Sequence, residues 1–217
     1  MKTFLSIGSG PGMGLATAER FAKEGFQVVL SARNAVKTQE LAHQLSAKGL
    51  KAEARTVDTA DPSSVASLIA DVEKRFGPIE VLHYNAASIR KATLEEQPRD
   101  AFNIDLAVNI GGALVAAQSV VPKMSERGAG TILLTGGALA LEPNPDYLSL
   151  SIGKAGIRAM AHALFQWFKE KGIHVATVTV AAAVSPGSKD AEAVAEHFWQ
   201  LHSQPKGSWA PEAKYFA

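Results

Sequence analysis

Short apolar runs alternate along this chain with longer stretches of helical period. Continuous apolar runs of strand length are typical of buried strands, whereas apolar residues three and four positions apart predict one buried helix face. The predicted strands are Thr3–Ile7, Gln27–Leu30, Ala52–Val57, Glu80–Tyr84, Gly130–Thr135 and His174–Val180, with a further short strand at Ala213–Phe216. The predicted helices are Met13–Lys23, Val36–Ala47, Asp61–Phe76, Asp105–Met124, Ser149–Lys171 and Asp190–His202.

The regular alternation of strand and helix predicts an α/β fold. Successive parallel strands need crossover helices, so the sheet should be mostly parallel, with six or seven strands and helices on both faces. A chain of 217 residues that is 47% hydrophobic is long enough for one sizeable core and short for two. We therefore expect a single domain over residues 1–217, with a weaker pattern after Ser185-Pro-Gly187.

The composition of the chain limits the kinds of partner that it can bind. Twenty-two basic residues balance twenty-one acidic ones, so the chain has no broad cationic field for nucleic acid or an anionic membrane. Cysteine is absent, which excludes disulfides, thiolate metal sites and a cysteine nucleophile. No apolar run approaches the ~18 residues of a spanning helix, and the start, MKTFLSIGSG, lacks the core of a secretion signal. We expect a cytoplasmic protein that binds neither nucleic acid nor membrane.

A glycine-rich turn separates the first strand from the first helix. Its sequence is Gly8-Ser9-Gly10-Pro11-Gly12-Met13-Gly14. Glycines at this position let the backbone approach a pyrophosphate and leave that group at a helix N-terminus. A plain turn that needs left-handed glycines is the alternative, but four glycines in seven residues exceed that requirement. We predict that Gly8, Ser9, Gly10, Gly12, Met13 and Gly14 bind a dinucleotide.

The spacing Gly8-x-x-x-Gly12-x-Gly14 resembles that of the short-chain dehydrogenase/reductase family. The resemblance continues from Thr3 to about Val180. It implies a Rossmann-type doubly wound sheet and hydride transfer between a nicotinamide cofactor and a small-molecule carbonyl or alcohol substrate. It also implies a homodimer or homotetramer. The family continues after the sixth strand with a substrate-covering segment, so we assign 181–217 to a divergent lid and C-terminal segment.

The same resemblance assigns further cofactor contacts. In the family, a residue at the end of the second strand determines whether NAD or NADP binds. Here Ala32 supplies no acidic side chain at that strand end, and Arg33 follows it, which favours NADP over NAD. The alternative is that Arg33 is a solvated loop residue. The remaining contacts that the resemblance implies are Asn34 beside Arg33, Asp58 and Thr59 near the adenine, and Asn85, Ala86 and Ala87 near the nicotinamide ribose.

The catalytic positions are altered. Lys154, followed by Ala155 and Gly156, matches the family lysine that binds the nicotinamide ribose and lowers the pKa of a tyrosine four residues earlier. Leu150 stands at that tyrosine position, and Gly137 stands where the family has a serine. Neither residue can donate a proton. Asn109 matches an asparagine that kinks the long helix and holds a water in the proton relay, although an ordinary mid-helix asparagine is equally open.

Substitute donors are few. Tyr147 is one turn from Ser151 and two turns from Lys154, so it is a catalytic candidate if the helix begins by Tyr147. A loop aromatic that covers the pocket is the alternative. Thr135 and Ser151 could polarise an oxygen but are common structural residues, and His83 inside a predicted strand is better explained as a packed histidine. The histidines show no metal-ligand spacing, so we predict no metal site.

Two hypotheses follow. The first is an NADP-dependent oxidoreductase with a non-standard active site in which Lys154 contacts the ribose and the acid is unassigned or water-borne. The second is a catalytically inactive dinucleotide-binding sensor or interaction protein on the same fold.

Overall fold

A computed structural model describes all 217 residues and contains one seven-stranded sheet in the order β3-β2-β1-β4-β5-β6-β7. The strands are β1 Thr3–Ile7, β2 Gln27–Ala32, β3 Ala52–Thr56, β4 Ile79–Tyr84, β5 Gly130–Thr135, β6 Ile173–Ala181 and β7 Glu212–Phe216. The helices are α1 Met13–Lys23, α2 Ala35–Ala47, α3 Pro62–Phe76, α4 Ala101–Leu106, α5 Gly112–Arg127, α6 Leu148–Glu170 and α7 Lys189–Ser203.

Every neighbouring pair of strands is parallel. The chain winds outward from β1 to β3 and then crosses back to build β4 to β7 on the other side of β1. The predicted Rossmann-type doubly wound sheet is therefore confirmed, with the seventh strand included. In such a sheet the direction of winding reverses between β1 and β4, and ligands bind there, beyond the carboxyl ends of the strands.

Two apolar cores lie on the two faces of the sheet. One contains buried residues of α3, α5 and α6, such as Val72, Val120 and Ile157, packed on β1, β4 and β5. The other contains residues of α1, α2 and α7, such as Phe21, Leu45 and Phe198. Each helix contributes one apolar face, which is what its sequence periodicity predicts.

The last part of the chain belongs to this layered core. Helix α7 packs against α1, and β7 extends the sheet beside β6. Glu212 anchors β7 by accepting hydrogen bonds from Arg158 Nη2 at 2.8 Å, Thr179 Oγ1 at 2.6 Å and His162 Nε2 at 3.2 Å. Burial acts to raise the pKa of Glu212, but these hydrogen bonds outweigh it and lower the pKa to about 2.

The long central helix is not uniform. A π-helical segment, Ala107–Gly111, joins α4 to α5, and the continuous helix begins four residues before the predicted Asp105. The hydroxyl of Tyr84 donates to the Val108 carbonyl at 2.5 Å inside this segment. The stretch Ala101–Arg127 is long and apolar enough to cross a membrane by length and composition. In this fold it instead packs on the sheet, with Ala113, Ala116 and Val120 in the core.

Helix α6 lies unusually close to the π-helical segment. An ideal Cβ on Gly153 would lie 2.5 Å from Asn109 Cβ, and one on Gly156 would lie 2.5 Å from Ile110 Cδ1. Both glycines have an ordinary helical backbone conformation. Glycine is therefore needed at these positions for the lack of space and not for its conformational freedom. They flank Lys154 in sequence and thereby fix how deeply the lysine is held between α6 and the sheet.

We expect Gly153→Ala to lower the free energy of unfolding by about 1–3 kcal/mol, because the new methyl overpacks the contact with Asn109. Gly111→Ala is the matched control, since its nearest neighbour would be Leu106 O at 3.9 Å. The control should be neutral or slightly stabilising, because alanine is the better helix former. Urea unfolding of both variants measures the difference, and equal stability would contradict the close packing described here.

Candidate functional site

One cavity of about 730 Å³ opens at the carboxyl ends of the central strands. It runs from the end of β2, at Arg33, past the glycine-rich turn to the start of α6, at Lys154. Its lining residues are Gly8, Ser9, Gly10, Met13, Ala32, Arg33, Val57, Thr59, Asn85, Ala86, Ala87, Ile89, Val108, Thr135, Gly136, Gly137, Ala138, Leu139, Leu150, Lys154, Val180, Ala181 and Ala182.

The glycine-rich turn is shaped by contact with backbone. Gly8 has φ +85°, which favours glycine, and a Cβ there would collide with the main chain of Ala86. A Cβ on Gly14 would lie 2.9 Å from Ser9 Cα, so this glycine lets the turn fold over the helix start. Gly10 faces open space. The turn is thus held tightly at both ends and exposes backbone in the middle.

Helix α1 begins directly after this turn and has no capping side chain. Gly12 occupies its N-terminal boundary, and the first turn contains no acidic residue. The N–H groups of a helix's first turn have no partner within the helix, and the dipole favours an anion there. With Gly8 and Gly10 leaving room for close approach, this end of the cavity fits a pyrophosphate. Gly12 and Gly14 shape the turn but do not line the cavity.

The β2 end of the cavity carries a single cation. Arg33 lines the rim, is exposed and forms no salt bridge, so its guanidinium is available to a ligand. Asn34 is placed differently, because its side chain caps α2 by accepting the Lys37 N–H at 3.0 Å. Asp58 also lies outside the lining and accepts the Ala60 N–H at 3.0 Å, whereas its neighbour Thr59 lines the cavity.

A chain of hydrogen bonds crosses the sheet beneath the middle of the cavity. Thr135 Oγ1 donates to Asn85 Oδ1 at 3.0 Å, and Asn85 Nδ2 donates to the Gly8 carbonyl at 2.9 Å. Because the Thr135 proton is used there, His83 Nε2 donates to Thr135 Oγ1 across 3.1 Å.

His83 is fully buried and neutral. Burial lowers the pKa of His83 to about 3. With the ring proton on Nε2, Nδ1 accepts from Ser6 Oγ across 3.2 Å. The hydrogen bonds therefore run in one direction from Ser6 to the glycine-rich turn and fix the side chains of Thr135 and Asn85.

Lys154 lies at the other end of the cavity and is half-buried. Its Nζ donates to the carbonyl of Thr135 at 2.8 Å, and it forms no salt bridge. Burial lowers the pKa of Lys154 to about 8. The side chains around it are apolar: Leu150 lies one helical turn before it, and a Cβ on Gly137 would lie 3.4–3.5 Å from its Cγ, Cδ and Cε.

Comparison with known proteins decides the family. The family described as short chain dehydrogenase matches residues 2–195, most of the chain. The chain belongs to the short-chain dehydrogenase family. Its members are oxidoreductases that bind a nicotinamide dinucleotide and act on small molecules.

Individual relatives of this short-chain dehydrogenase agree with that assignment. An uncharacterized oxidoreductase of Thermotoga maritima is 27% identical over 178 residues, which cover 82% of this chain and 70% of the relative. The crystal structure of a short-chain dehydrogenase from Rhodopseudomonas palustris is 26% identical, with a TM-score of 0.90 over 100% of this chain and 98% of that one.

A metagenomic short-chain oxidoreductase solved in complex with NADP shares the fold at a TM-score of 0.92. It is 20% identical, over 99% of this chain and 96% of that one. At that identity the likeness concerns the fold alone.

Two of the sequence-derived catalytic candidates lie apart from the cavity of this short-chain dehydrogenase. Tyr147 precedes the first residue of α6 and pairs with Ala92, and it is not among the lining residues. Asn109 is buried, and its side chain forms two hydrogen bonds with the backbone of Ser88. Its Oδ1 accepts the Ser88 N–H at 2.6 Å, and its Nδ2 donates to the Ser88 carbonyl at 3.3 Å. Asn109 thus holds the loop that follows Ala87.

The loop after β4 has a second anchor that the sequence did not suggest. Asp105 is buried and accepts from Arg90 Nε at 2.8 Å, Ser88 Oγ at 2.6 Å and Ser149 Oγ at 3.0 Å. Burial acts to raise the pKa of Asp105, but these three donors lower it overall. An acidic residue inside an apolar helix pattern was the available signal. Ile89 and Leu139 also line the cavity, but no feature of the sequence pointed to them.

The segment 181–217 contributes little to the cavity wall. Only Ala181 and Ala182 of this segment line it, next to Val180. From Lys189 onward the chain forms α7 and β7 in the layered core.

We expect Thr135→Val to destabilise the protein, because the His83 Nε2–H and Asn85 Oδ1 lose their shared partner. Each buried polar group left unpaired costs about 1–3 kcal/mol. Thr17→Val is the matched control, because the Thr17 hydroxyl is buried without any partner. Urea unfolding should show a large loss for Thr135→Val and none for Thr17→Val. Equal effects would mean that the chain of hydrogen bonds adds nothing.

Proposed function

We propose that this short-chain dehydrogenase is an NADP(H)-dependent oxidoreductase that interconverts a small carbonyl compound and its alcohol. The observation that carries the proposal is the single continuous cavity that joins an anion-binding turn at Gly8–Gly10 to a buried lysine at Lys154. An extended ligand with phosphates at one end and a reactive ring at the other fits this arrangement. When bound, the nicotinamide supplies or accepts a hydride.

The residues present fit such a cofactor along its length. The glycine-rich turn and the open first turn of α1 accommodate the pyrophosphate. Ala86, Ala87 and Asn85 line the middle of the cavity, where small side chains leave room for a ribose. Lys154 has two N–H groups beyond the one used by Thr135 O, and we assign one of them to the nicotinamide ribose.

Cofactor choice depends on Arg33. A guanidinium at the β2 end, without a carboxylate competing for it, forms a charge-assisted fork to a 2′-phosphate. Ala32 adds no negative charge that would repel this phosphate. We therefore prefer NADP to NAD.

The substrate end favours an uncharged, partly apolar molecule. Ile89, Leu139, Leu150 and Val180 line this end, and Lys154 is its sole charged side chain. We propose that the protein acts in the cytoplasm without nucleic-acid or membrane partners, in keeping with its net charge of +1. We also propose a homodimer or homotetramer, because Leu114, Ile152 and Trp167 on the long helices are exposed.

A second function has one observation in its favour. The positions that carry a tyrosine and a serine in the family are Leu150 and Gly137 here, and no other hydroxyl with an unused proton lies beside Lys154. A protein that binds the dinucleotide as a sensor or assembly partner, without turnover, would need no such hydroxyl.

We expect Arg33→Ala to weaken NADPH binding about 10- to 100-fold while leaving NADH binding unchanged, because hydrogen bonds to charged groups contribute about 1.5–3 kcal/mol. Fluorescence titration of both cofactors measures the effect. Arg75→Ala, at an exposed site at the end of α3, is the control and should change neither affinity. NADH bound as tightly as NADPH by the unaltered protein would refute the role given to Arg33.

Turnover separates the two functions. With NADPH and a panel of aldehydes and ketones, the parent should turn over at least one uncharged substrate. The double variant Leu150→Tyr and Gly137→Ser should be faster by tenfold or more, because a positioned acid contributes about 10²–10⁴-fold. A serine Cβ fits at 137, where it would meet Lys154 at ordinary contact distance. An inactive parent that binds NADPH, with an active double variant, would favour the sensor.

A further inference from the structure

The reactive end of the cavity has very few groups that could supply a proton. Thr135, whose carbonyl accepts from Lys154, also has a hydroxyl, but the proton of that hydroxyl is donated to Asn85 Oδ1. Ser9 Oγ donates to the Ser6 carbonyl at 3.0 Å, below the glycine-rich turn. Arg33 lies at the opposite end of the cavity. Lys154 remains as the one acidic N–H donor beside the substrate.

The Lys154 ammonium has unused donors. It has three N–H groups, of which Thr135 O takes one at 2.8 Å and the ribose is assigned another. The third points to no acceptor within the protein. An ammonium on a flexible stem can turn this donor toward a ligand without losing its anchor.

Space for a substrate oxygen lies next to this ammonium. A Cβ on Gly137 would lie 3.5 Å from Lys154 Cε, the carbon that carries Nζ. The glycine leaves that volume open to the cavity. Leu150 lines the cavity one helical turn before Lys154. Because leucine has no hydroxyl, this position places no proton donor between the ammonium and the substrate. Lys154 Nζ lies 2.8 Å from the carbonyl oxygen of Thr135, two residues before Gly137, so the ammonium and Gly137 border the same end of the cavity.

We propose that Lys154 is itself the proton donor, passing a proton from Nζ to the oxygen of an uncharged aldehyde or ketone seated beside Gly137. This assignment rests on the proposed oxidoreductase function. The substrate class follows from the lining, since Ile89, Leu139 and Leu150 offer apolar contact and no partner for a charged group.

The step balances in protons and electrons. The carbonyl carbon gains a hydride from the reduced dinucleotide, the C=O π pair moves onto oxygen, and an O–H bond forms as one Nζ–H bond of Lys154 breaks. The products are the alcohol, the oxidised dinucleotide and a neutral amine on Lys154. The amine then regains a proton from solvent water, which reaches the half-buried Lys154 through the cavity. In the reverse direction the same amine accepts the alcohol proton.

The surroundings of Lys154 suit this role. Burial lowers its pKa to about 8, so the ammonium is a stronger acid than an ordinary lysine, whose pKa is about 10.4. No charged side chain faces it: the turn Ala138–Ala140 is apolar, the π-helical segment presents Asn109, and His83, reached through Thr135, is neutral above about pH 3. Asp105 of α4 is paired with Arg90.

Substitution of Lys154 provides the first test. Lys154→Arg keeps the positive charge but cannot release a proton, because an arginine guanidinium stays protonated throughout the pH range of the assay. We expect it to bind NADPH within threefold of the parent and to lose at least 100-fold in kcat. Lys154→Met removes charge and proton together and should lose both affinity and turnover. Lys74→Arg, at an exposed position on α3, is the control for replacing a lysine by an arginine and should change neither NADPH affinity nor kcat.

Direct titration provides a readout independent of turnover. Lysines are reductively methylated with ¹³C-formaldehyde, and the Lys154 resonance is identified by its absence in Lys154→Arg. Its chemical shift should titrate near pH 8, well below the ordinary lysine value of about 10.4. In the parent, kcat for reduction should fall as pH rises through about 8, because the donor is then deprotonated. Lys154→Arg should lack that fall in its residual rate.

The outcomes separate this assignment from the function on which it rests. A parent that binds NADPH but reduces no member of the panel overturns the oxidoreductase function and the assignment with it. Turnover that survives Lys154→Arg overturns only the assignment. A Lys154 resonance that titrates at the ordinary lysine value of about 10.4 likewise overturns the assignment, whatever the turnover. If Lys154→Arg fails to fold, as judged by circular dichroism, Lys154→Met identifies the Lys154 resonance instead, and the titration and the pH profile of the parent still decide.

Discussion

A buried ammonium with no anionic partner is the constraint around which this site is arranged. Lys154 is satisfied by the Thr135 carbonyl alone, so the end of β5 has to present that oxygen in a fixed place. The hydrogen bonds that run from Ser6 through His83 to the Thr135 hydroxyl hold Thr135 in that position. A desolvated charge held by dipoles keeps a lowered pKa, whereas a carboxylate beside it would have raised that pKa.

The same hydrogen bonds join the two halves of the cavity. From Thr135 they pass to Asn85 and on to the Gly8 carbonyl, so the position of the glycine-rich turn and that of the lysine depend on one chain of partners. On the helical side, Gly153 and Gly156 let α6 approach the π-helical segment, and Asn109 in that segment holds Ser88. The glycine-rich turn, Lys154 and the loop that contains Ser88 are therefore joined by one set of contacts.

Local patterns were enough to predict most of the architecture. Apolar periodicity located the seven strands and every helix except most of α4, because each of these elements buries one face or lies wholly within the core. Boundaries were less accurate: β2 runs on to Ala32 because Ser31 and Ala32 pair with Arg55 and Thr56 of β3, a long-range partner that no local window contains. The long helix begins at Ala101 and not at Asp105, and its π-helical turn depends on packing against Gly153 and Tyr84.

By itself the sequence determined the Rossmann-type fold, the glycine-rich turn and the residue types at 137, 150 and 154, since these depend on residue type and spacing. Only the tertiary structure decided what each candidate touches. It placed Tyr147 outside the cavity lining, turned Asn109 toward Ser88, and made His83 a neutral link between Ser6 and Thr135. The reason is physical: hydrogen-bond partners, burial and pKa depend on groups brought together from distant parts of the chain, and those contacts are absent until the sheet has formed.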